Sequence, residues 1–193
     1  ADWFSGIGTG SSKGTKVIGI SGSVKTPCLV EVPMGTPFKE IFNELGGGVP
    51  AKRKLKAFQT GGPSGGVLPA RMLSLNLDYE EMGKAGTNLG SGGFIAIDNR
   101  ACMVDIARYF TQFLIEESCG KCVPCREGVK RLLQLINNFT IGIGTEEHLT
   151  LIKELAFAME KASLCDLGKT APSVVQYAIK YFKDEFEAHM EGQ

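Results

Sequence analysis

The stretch Glu117-Ser118-Cys119-Gly120-Lys121-Cys122-Val123-Pro124-Cys125-Arg126 decides how the chain is read. Its two C-x-x-C steps share the middle cysteine, so one tight turn of backbone aims three thiolates at a common point. A single zinc site more often uses two separated pairs of ligands. Three closely spaced thiolates with a distant fourth are the habit of iron–sulfur clusters, because a cubane needs a ligand at each of its corner irons. Pro124 stiffens the turn. A cubane held by four thiolates is anionic, and Lys121, Arg126 and Lys130 surround the triplet. Backbone N–H groups at the start of the following helix point the same way. Such donors tune the reduction potential of a cluster. Lys130 also reads as part of a solvated helix face, and for that residue this is the simpler reading.

Six cysteines stand in the chain, at 28, 102, 119, 122, 125 and 165. A secreted disulfide scaffold is usually shorter and denser in cysteine. The clustering points to metal ligation in a reducing compartment, with the cytoplasm as the expected location. Three cysteines compete to be the fourth ligand. Cys165 lies in Ser163-Leu164-Cys165-Asp166-Leu167-Gly168, a predicted loop between helices that leaves its side chain free to turn toward a cluster. Cys102 starts a predicted helix. Cys28 sits in an alternating strand pattern and is expected to be buried. The spacing favours Cys165 and leaves the other two open.

Around these cysteines the sequence is helical. Met103, Ile106, Ala107, Phe110 and Leu114 recur at helical spacing over about 102–117, and Val129, Leu132, Leu133, Ile136 and Phe139 over about 124–140. A third helix is expected to start at Thr145 as N-cap, with Glu146 and Glu147 complementing the helix dipole. Its inner face is Ile152, Leu155, Ala156 and Met159. A fourth is expected from Thr170-Ala171-Pro172, carrying Val175, Ala178, Phe182 and Phe186. Four amphipathic helices with short links predict a four-helix bundle.

Most of the 25 glycines lie before residue 100. The composition changes at about 98–101, where Asp98-Asn99-Arg100 is expected to act as a hinge or cap. Upstream, Thr15–Ser21 and Cys28–Val32 alternate as half-buried strands. Thr36 is expected to cap a helix with Pro37 at its first position, carrying Phe38, Ile41, Phe42 and Leu45 and ending at Gly46-Gly47-Gly48. Lys54–Thr60 and Phe94–Ile97 are two further predicted strands. The pattern is that of a small α+β fold of the β-grasp kind.

The 193 residues carry 21 basic and 21 acidic side chains and are 43% apolar. A balanced charge argues against a general nucleic-acid binder. No apolar run reaches the roughly 20 residues of a membrane-spanning helix, and Ala1-Asp2-Trp3-Phe4 does not read as a signal peptide. Gly61-Gly62-Pro63-Ser64-Gly65-Gly66 and Gly90-Ser91-Gly92-Gly93 match neither a P-loop nor a dinucleotide fingerprint, and read as tight turns. His148 and His189 are expected to be helical and exposed, and neither reads as a base or a ligand. No Ser/His/Asp set points to hydrolysis, so no catalytic residue is named.

Taken with Leu164-Cys165-Asp166-Leu167-Gly168, Gln59-Thr60-Gly61-Gly62-Pro63-Ser64-Gly65-Gly66, Leu77-Asp78-Tyr79 and Gly90-Ser91-Gly92-Gly93, the cysteine stretch resembles the NADH-binding flavoprotein subunit of respiratory complex I. It is closer still to that subunit's soluble relatives, the diaphorase subunits of NAD-linked or electron-bifurcating iron hydrogenases and formate dehydrogenases. The resemblance spans nearly the whole chain. It implies a small β-grasp domain of the soluble-ligand-binding kind (SLBB) over 14–98, then a four-helix iron–sulfur-binding bundle over 99–193. It implies one [4Fe–4S] cluster on Cys119, Cys122, Cys125 and Cys165. In the family FMN and NADH occupy an earlier domain, and residues 1–13 read as the tail of that domain. The flavin and nucleotide are therefore expected in the missing N-terminal domain, and this stretch alone is not expected to be catalytic. The implied role is to pass single electrons from that flavin to further iron–sulfur centres. Implied partners are the FMN/NADH domain, a small thioredoxin-like 2Fe–2S subunit and a catalytic or multi-cluster acceptor subunit, with no nucleic acid and no membrane span. The competing reading is a docking module stapled by zinc or a cluster, with no redox role.

Overall fold

A computed structural model describes residues 1–63 and 65–190; Ser64 of the first glycine-rich loop and residues 191–193 of the expected bundle lie outside the described residues. The fold is α+β and divides into two compact units, Ala1–Arg100 and Ala101–Gln193.

The first unit begins with a short helix, α1 (Asp2–Ser5), followed by strands β1 (Thr15–Gly22) and β2 (Cys28–Pro33). One helical turn, α2 (Phe38–Glu40), runs on into a wider π turn over Ile41–Leu45. Strands β3 (Leu55–Thr60) and β4 (Val67–Pro69), helix α3 (Tyr79–Ala85) and strand β5 (Gly93–Asp98) complete it. The sheet order is β2-β1-β5-β3-β4, with β1 and β5 parallel and the other pairs antiparallel. Along β1 the register alternates: Ile18 and Ile20 are buried while Val17 is exposed. Phe94 stacks on both Phe38 and Phe58, which are tilted against each other, with centroids 5.4–5.7 Å apart. The helical segment is thus held to the sheet by aromatic area rather than by its own short hydrogen-bond ladder.

Several local expectations are corrected here. Pro37 is the N-cap, not the first helical residue. Its backbone is extended (φ −63°, ψ 138°) because it bridges to Asn76, and the Thr36 hydroxyl donates back to the Pro33 carbonyl. Strand β4 and helix α3 carry too short an apolar pattern to stand out in the sequence. Cys28 is only half-buried. Asp98, at the expected hinge or cap, is buried and accepts from the Arg100 N–H at 2.9 Å and from Arg53 Nη1 at 3.1 Å. The two glycine-rich loops meet, since a Cβ on Gly90 would lie 2.7 Å from the Gly61 carbonyl oxygen.

Asp78 ties the unit together. One carboxylate oxygen caps α3, accepting from the N–H groups of Glu80 and Glu81 at 2.9 and 3.0 Å. The other accepts from the hydroxyls of Thr9 (2.5 Å) and Ser11 (3.1 Å). The Thr9 hydroxyl first, then the Glu81 N–H, hold this buried carboxyl well below the usual carboxylate range against the opposing effect of burial.

The second unit comprises α4 (Met103–Glu117), α5 (Val123–Thr140) and α6 (Glu146–Ala162), then three short helices, α7 (Asp166–Thr170), α8 (Ser173–Tyr181) and α9 (Lys183–Glu187). Thr145 caps α6, its hydroxyl accepting from the His148 N–H at 3.2 Å. The expected single fourth helix is broken. Pro172 has no N–H to continue α7 and instead precedes α8, and Phe182 leaves helical geometry (φ −137°, ψ 40°). The second break sets Phe186 edge-on against Phe139 at 5.5 Å, fully buried. The burial pattern of α5 also shifts by a residue pair, with Leu135 buried where Leu133 is only partly so.

The segment joining α6 to α7 packs closely on α5. A Cβ on Gly168 would lie 2.6 Å from Ser163 Oγ, 2.7 Å from Ser163 Cβ and 2.9 Å from Cys125 Cβ. No side chain fits there without moving backbone-anchored atoms.

Asp78→Ala is expected to cost about 1–3 kcal/mol through the lost cap and the freed hydroxyls, read by urea unfolding at neutral pH. Because the folded carboxyl titrates below its unfolded value of 3.8, its stabilisation is complete above that pH and fades as the pH falls through the folded value. The stability gap between wild type and Asp78→Asn should therefore hold at neutral pH and narrow below about pH 4; a gap independent of pH would show that charge plays no part. Gly168→Ala is expected to destabilise the second unit by about 1–3 kcal/mol through overpacking, read as a lower Tm.

Candidate metal centre

The cysteine-rich loop leaves α4 at Ser118 and enters α5 at Cys122, its N-cap. Pro124 sits in the first turn of α5, where its missing N–H has no intrahelical partner to lose. Cys119 is exposed, Cys122 half-buried and Cys125 buried. Cys165 is the exposed N-cap of α7, entered directly from the end of α6. The structure brings all four to one cavity of about 140 Å³, which Ser118 and Leu167 also line. Beneath it Leu114, Cys125, Val129, Met159 and Ala171 form an apolar floor, with Cys122 and Leu167 packed against it.

The remaining two cysteines lie elsewhere. Cys28 belongs to β2, with its thiol 3.9 Å from the Leu45 carbonyl. Cys102, the N-cap of α4, has its sulfur 3.4 Å from His189 Nε2. His189 is neither helical nor exposed, contrary to the expectation from sequence. It lies part-buried in the turn after α9, with Nδ1 3.0 Å from the Phe139 carbonyl. That carbonyl can only accept, so Nδ1 carries the proton and Nε2 receives the Cys102 thiol. His148 is helical as expected but part-buried, with Nε2 3.1 Å from the Asn138 amide.

The electrostatics favour the thiolate of Cys122. The Leu164 N–H first, then that of Cys125, hold the Cys122 thiol below its ordinary range, and the Arg126 charge adds to the effect. Arg126 is fixed by donating from Nη1 to the Gly120 carbonyl at 2.9 Å and from Nε to Glu127 at 2.9 Å. Lys130 lies 3.9 Å from Glu127 on an exposed face, as its simpler reading has it.

The donor set fits an iron–sulfur cluster. Among the described residues, no group of three cysteine, histidine or acidic side chains is set to hold a single metal ion. The four thiols stand around one cavity, and a multi-iron cluster takes one thiolate at each iron. The participants that sequence reasoning passed over are Ser118, Ser163 and Gly168. All three stand beside the cysteines in sequence, yet only folding shows that they converge on Cys125.

Residues 105–189 match the family described as the NADH-ubiquinone oxidoreductase-F iron-sulfur binding region, and residues 17–68 match the SLBB domain. The HndC component of the NADP-reducing hydrogenase of Solidesulfovibrio fructosivorans is 44% identical over 193 residues, which are 100% of this chain and 39% of that protein. The F 2 component of the NADH-quinone oxidoreductase of Rhizobium meliloti is 38% identical over 98% of this chain and 45% of its own length. The NAD+-reducing [NiFe]-hydrogenase in its H2-reduced state superposes with a TM-score of 0.88 at 30% identity, over 99% of this chain and 32% of that one. The chain thus spans less than half the length of these relatives. Among the described residues, no helix is long and apolar enough to cross a membrane. One match falls in each compact unit, and the chain is similar to the SLBB and iron–sulfur-binding regions of NADH-quinone oxidoreductase F subunits and their hydrogenase counterparts.

Proposed function

We propose that Cys119, Cys122, Cys125 and Cys165 hold one [4Fe–4S] cluster and that the chain is the electron-transfer part of an NAD(P)-linked oxidoreductase. The observation that carries this reading is the gathering of these four thiols, from two segments 40 residues apart, around one cavity, with Cys28 and Cys102 engaged elsewhere. A cluster bound there supplies reversible one-electron transfer. The chain's own residues do the rest. The thiolates set the ligand positions, the Leu164 and Cys125 N–H groups and Arg126 offset their negative charge, and the floor of Leu114, Val129 and Met159 keeps water from beneath the site.

On this reading residues 14–98 form the β-grasp SLBB domain, in which a mixed sheet packs against one helical segment. Residues 99–193 form the cluster-binding bundle, whose fourth layer is α7 to α9. Electrons arrive from an FMN/NADH-binding domain. They leave toward a thioredoxin-like 2Fe–2S subunit or toward a catalytic or multi-cluster subunit. The names of the hydrogenase and quinone-reductase relatives support an oxidoreductase assembly of this kind. Four free thiols at one site suit the reducing cytoplasm.

Anaerobic reconstitution with iron and sulfide tests the proposal. About four irons and four sulfides per chain are expected, with a broad visible absorption that dithionite bleaches; a colourless, zinc-loaded chain would support the staple reading instead. Cys165→Ser is expected to lose or degrade the cluster, while Cys28→Ser and Cys102→Ser keep it. A spectrum abolished by Cys102→Ser alone would refute the ligand set. The cluster closes a loop of 40 residues between Cys125 and Cys165, so loading is expected to stabilise the second unit by several kcal/mol, roughly as a cross-link of that size does. Thermal unfolding of loaded and chelated protein reads this directly. An unchanged Tm and near-UV circular dichroism would show the cluster to be a passenger in the fold.

A further inference from the structure

Two hydroxyl groups beside Cys125 are not accounted for by ligation. Ser163 ends α6 and is 5% exposed. Its backbone N–H is taken by the Met159 carbonyl, but its Oγ is sealed from solvent without any hydrogen-bond partner. Ser163 Oγ and Cys125 Cβ lie 2.6 and 2.9 Å from the same point, the place where a Cβ on Gly168 would sit, so the two side chains are immediate neighbours. A buried hydroxyl left unpaired costs about 1–3 kcal/mol, and native proteins rarely leave one so without cause. On the other flank, Ser118 Oγ lies 3.4 Å from Cys125 Sγ and accepts the Gly120 N–H at 3.3 Å. A thiolate has no proton to give. Once Cys125 is ionised, the proton in that contact must come from Ser118.

We propose that Ser118 and Ser163 are paired hydroxyl donors to the sulfur at Cys125 and that they set the reduction potential of the centre, an inference that rests on the ligand set assigned above. The physical basis is charge. One-electron reduction adds a negative charge to the site, and much of it resides on sulfur. A donor aimed at that sulfur stabilises the reduced state more than the oxidised one and raises the potential. Cys125 is the most buried of the four thiols, so a dipole aimed at its sulfur is less screened by water than one at the others. Ser163 also sits next to Leu164, whose N–H faces Cys122. One short turn therefore carries the N–H that faces Cys122, the hydroxyl beside Cys125 and the fourth thiol of the cavity. Both serines are positioning residues: neither ligates iron, and each acts through Cys125.

The test uses the full chain loaded anaerobically with iron and sulfide: wild type, Ser163→Ala, Ser118→Ala, the double variant and Ser163→Thr. Iron and sulfide content establishes loading. Dithionite titration followed by absorbance and by electron paramagnetic resonance then gives the midpoint potential. Each alanine variant is expected to lower the reduction equilibrium constant roughly threefold to tenfold, ~30–60 mV for a one-electron couple. The double variant should shift further, and Ser163→Thr, which keeps the hydroxyl, should stay with wild type. Fully loaded alanine variants with the wild-type potential would overturn the proposal. So would a threonine variant that shifts as far as alanine, since bulk and not the hydroxyl would then be responsible. If Ser163→Ala does not load, Ser118→Ala and electron–nuclear double resonance of the reduced wild type in H2O and D2O decide. A coupled exchangeable proton that disappears in Ser118→Ala supports the donor role, and its persistence there overturns it. A wild-type chain that takes up no iron and sulfide is a different failure: it overturns the ligand set itself, before any serine is changed.

Discussion

Two stretches of backbone, the loop into α5 and the turn from α6 into α7, must meet with almost no space between them. Gly168 marks the place: Ser163 and Cys125 both come within 3 Å of where its side chain would be. Much of the second unit is arranged around that approach. Helix α5 begins at Cys122 so that its first turn carries Cys125 downward into the core, onto Leu114, Val129, Met159 and Ala171. Helix α6 must end at Ser163 so that Leu164 and Cys165 can turn back over the same floor. The chain then continues in short helices, because Pro172 and the non-helical Phe182 interrupt what would otherwise be one rod. A thiol cavity thus emerges where helix ends converge, and the dipoles and N–H groups of those ends are natural partners for negative sulfur.

The first unit depends on different forces. Its sheet is covered by a helical segment too short to be stable alone, and three mutually packed phenylalanines supply the area that holds it. Polar order is concentrated in two buried carboxylates. Asp78 gathers the N-terminal loop and the start of α3, while Asp98 closes the turn after β5 with Arg53 and Arg100. Each satisfies the carboxylate with several donors, which is the condition under which burying a charge is tolerable. Neither lies among the cavity's lining residues, and nothing in their arrangement calls for chemistry.

The sequence made the site legible because ligation by a tight loop is local. Cys119, Cys122 and Cys125 are separated by two residues each, so their convergence follows from backbone geometry at short range. The same holds for the strand alternation of β1, the Thr145 cap and the long apolar stripes of α4 to α6, all of which depend on periodicity within a few turns. Where a reading failed, the deciding contact was distant. Pro37 stays extended because it bridges to Asn76, and His189 is part-buried because Cys102 and the Phe139 carbonyl claim its two nitrogens. Strand β4 is three residues long and owes its existence to pairing with β3.

The amino-acid sequence by itself determined that three thiols share one loop, that helices flank them and that a glycine-rich α+β segment precedes them, since each is a property of neighbouring residues. It left three cysteines competing for the fourth place on spacing alone. Only the tertiary structure decided which thiols stand at the same cavity, because Cys165 is brought there by the packing of α6 and α7 on α5, while Cys102 is drawn to His189 instead. It also decided which polar atoms are left unpaired. A serine next to a cysteine motif is unremarked in a sequence; sealed from water beside Cys125 with no partner, its hydroxyl acquires an energetic cost that only a fold can impose.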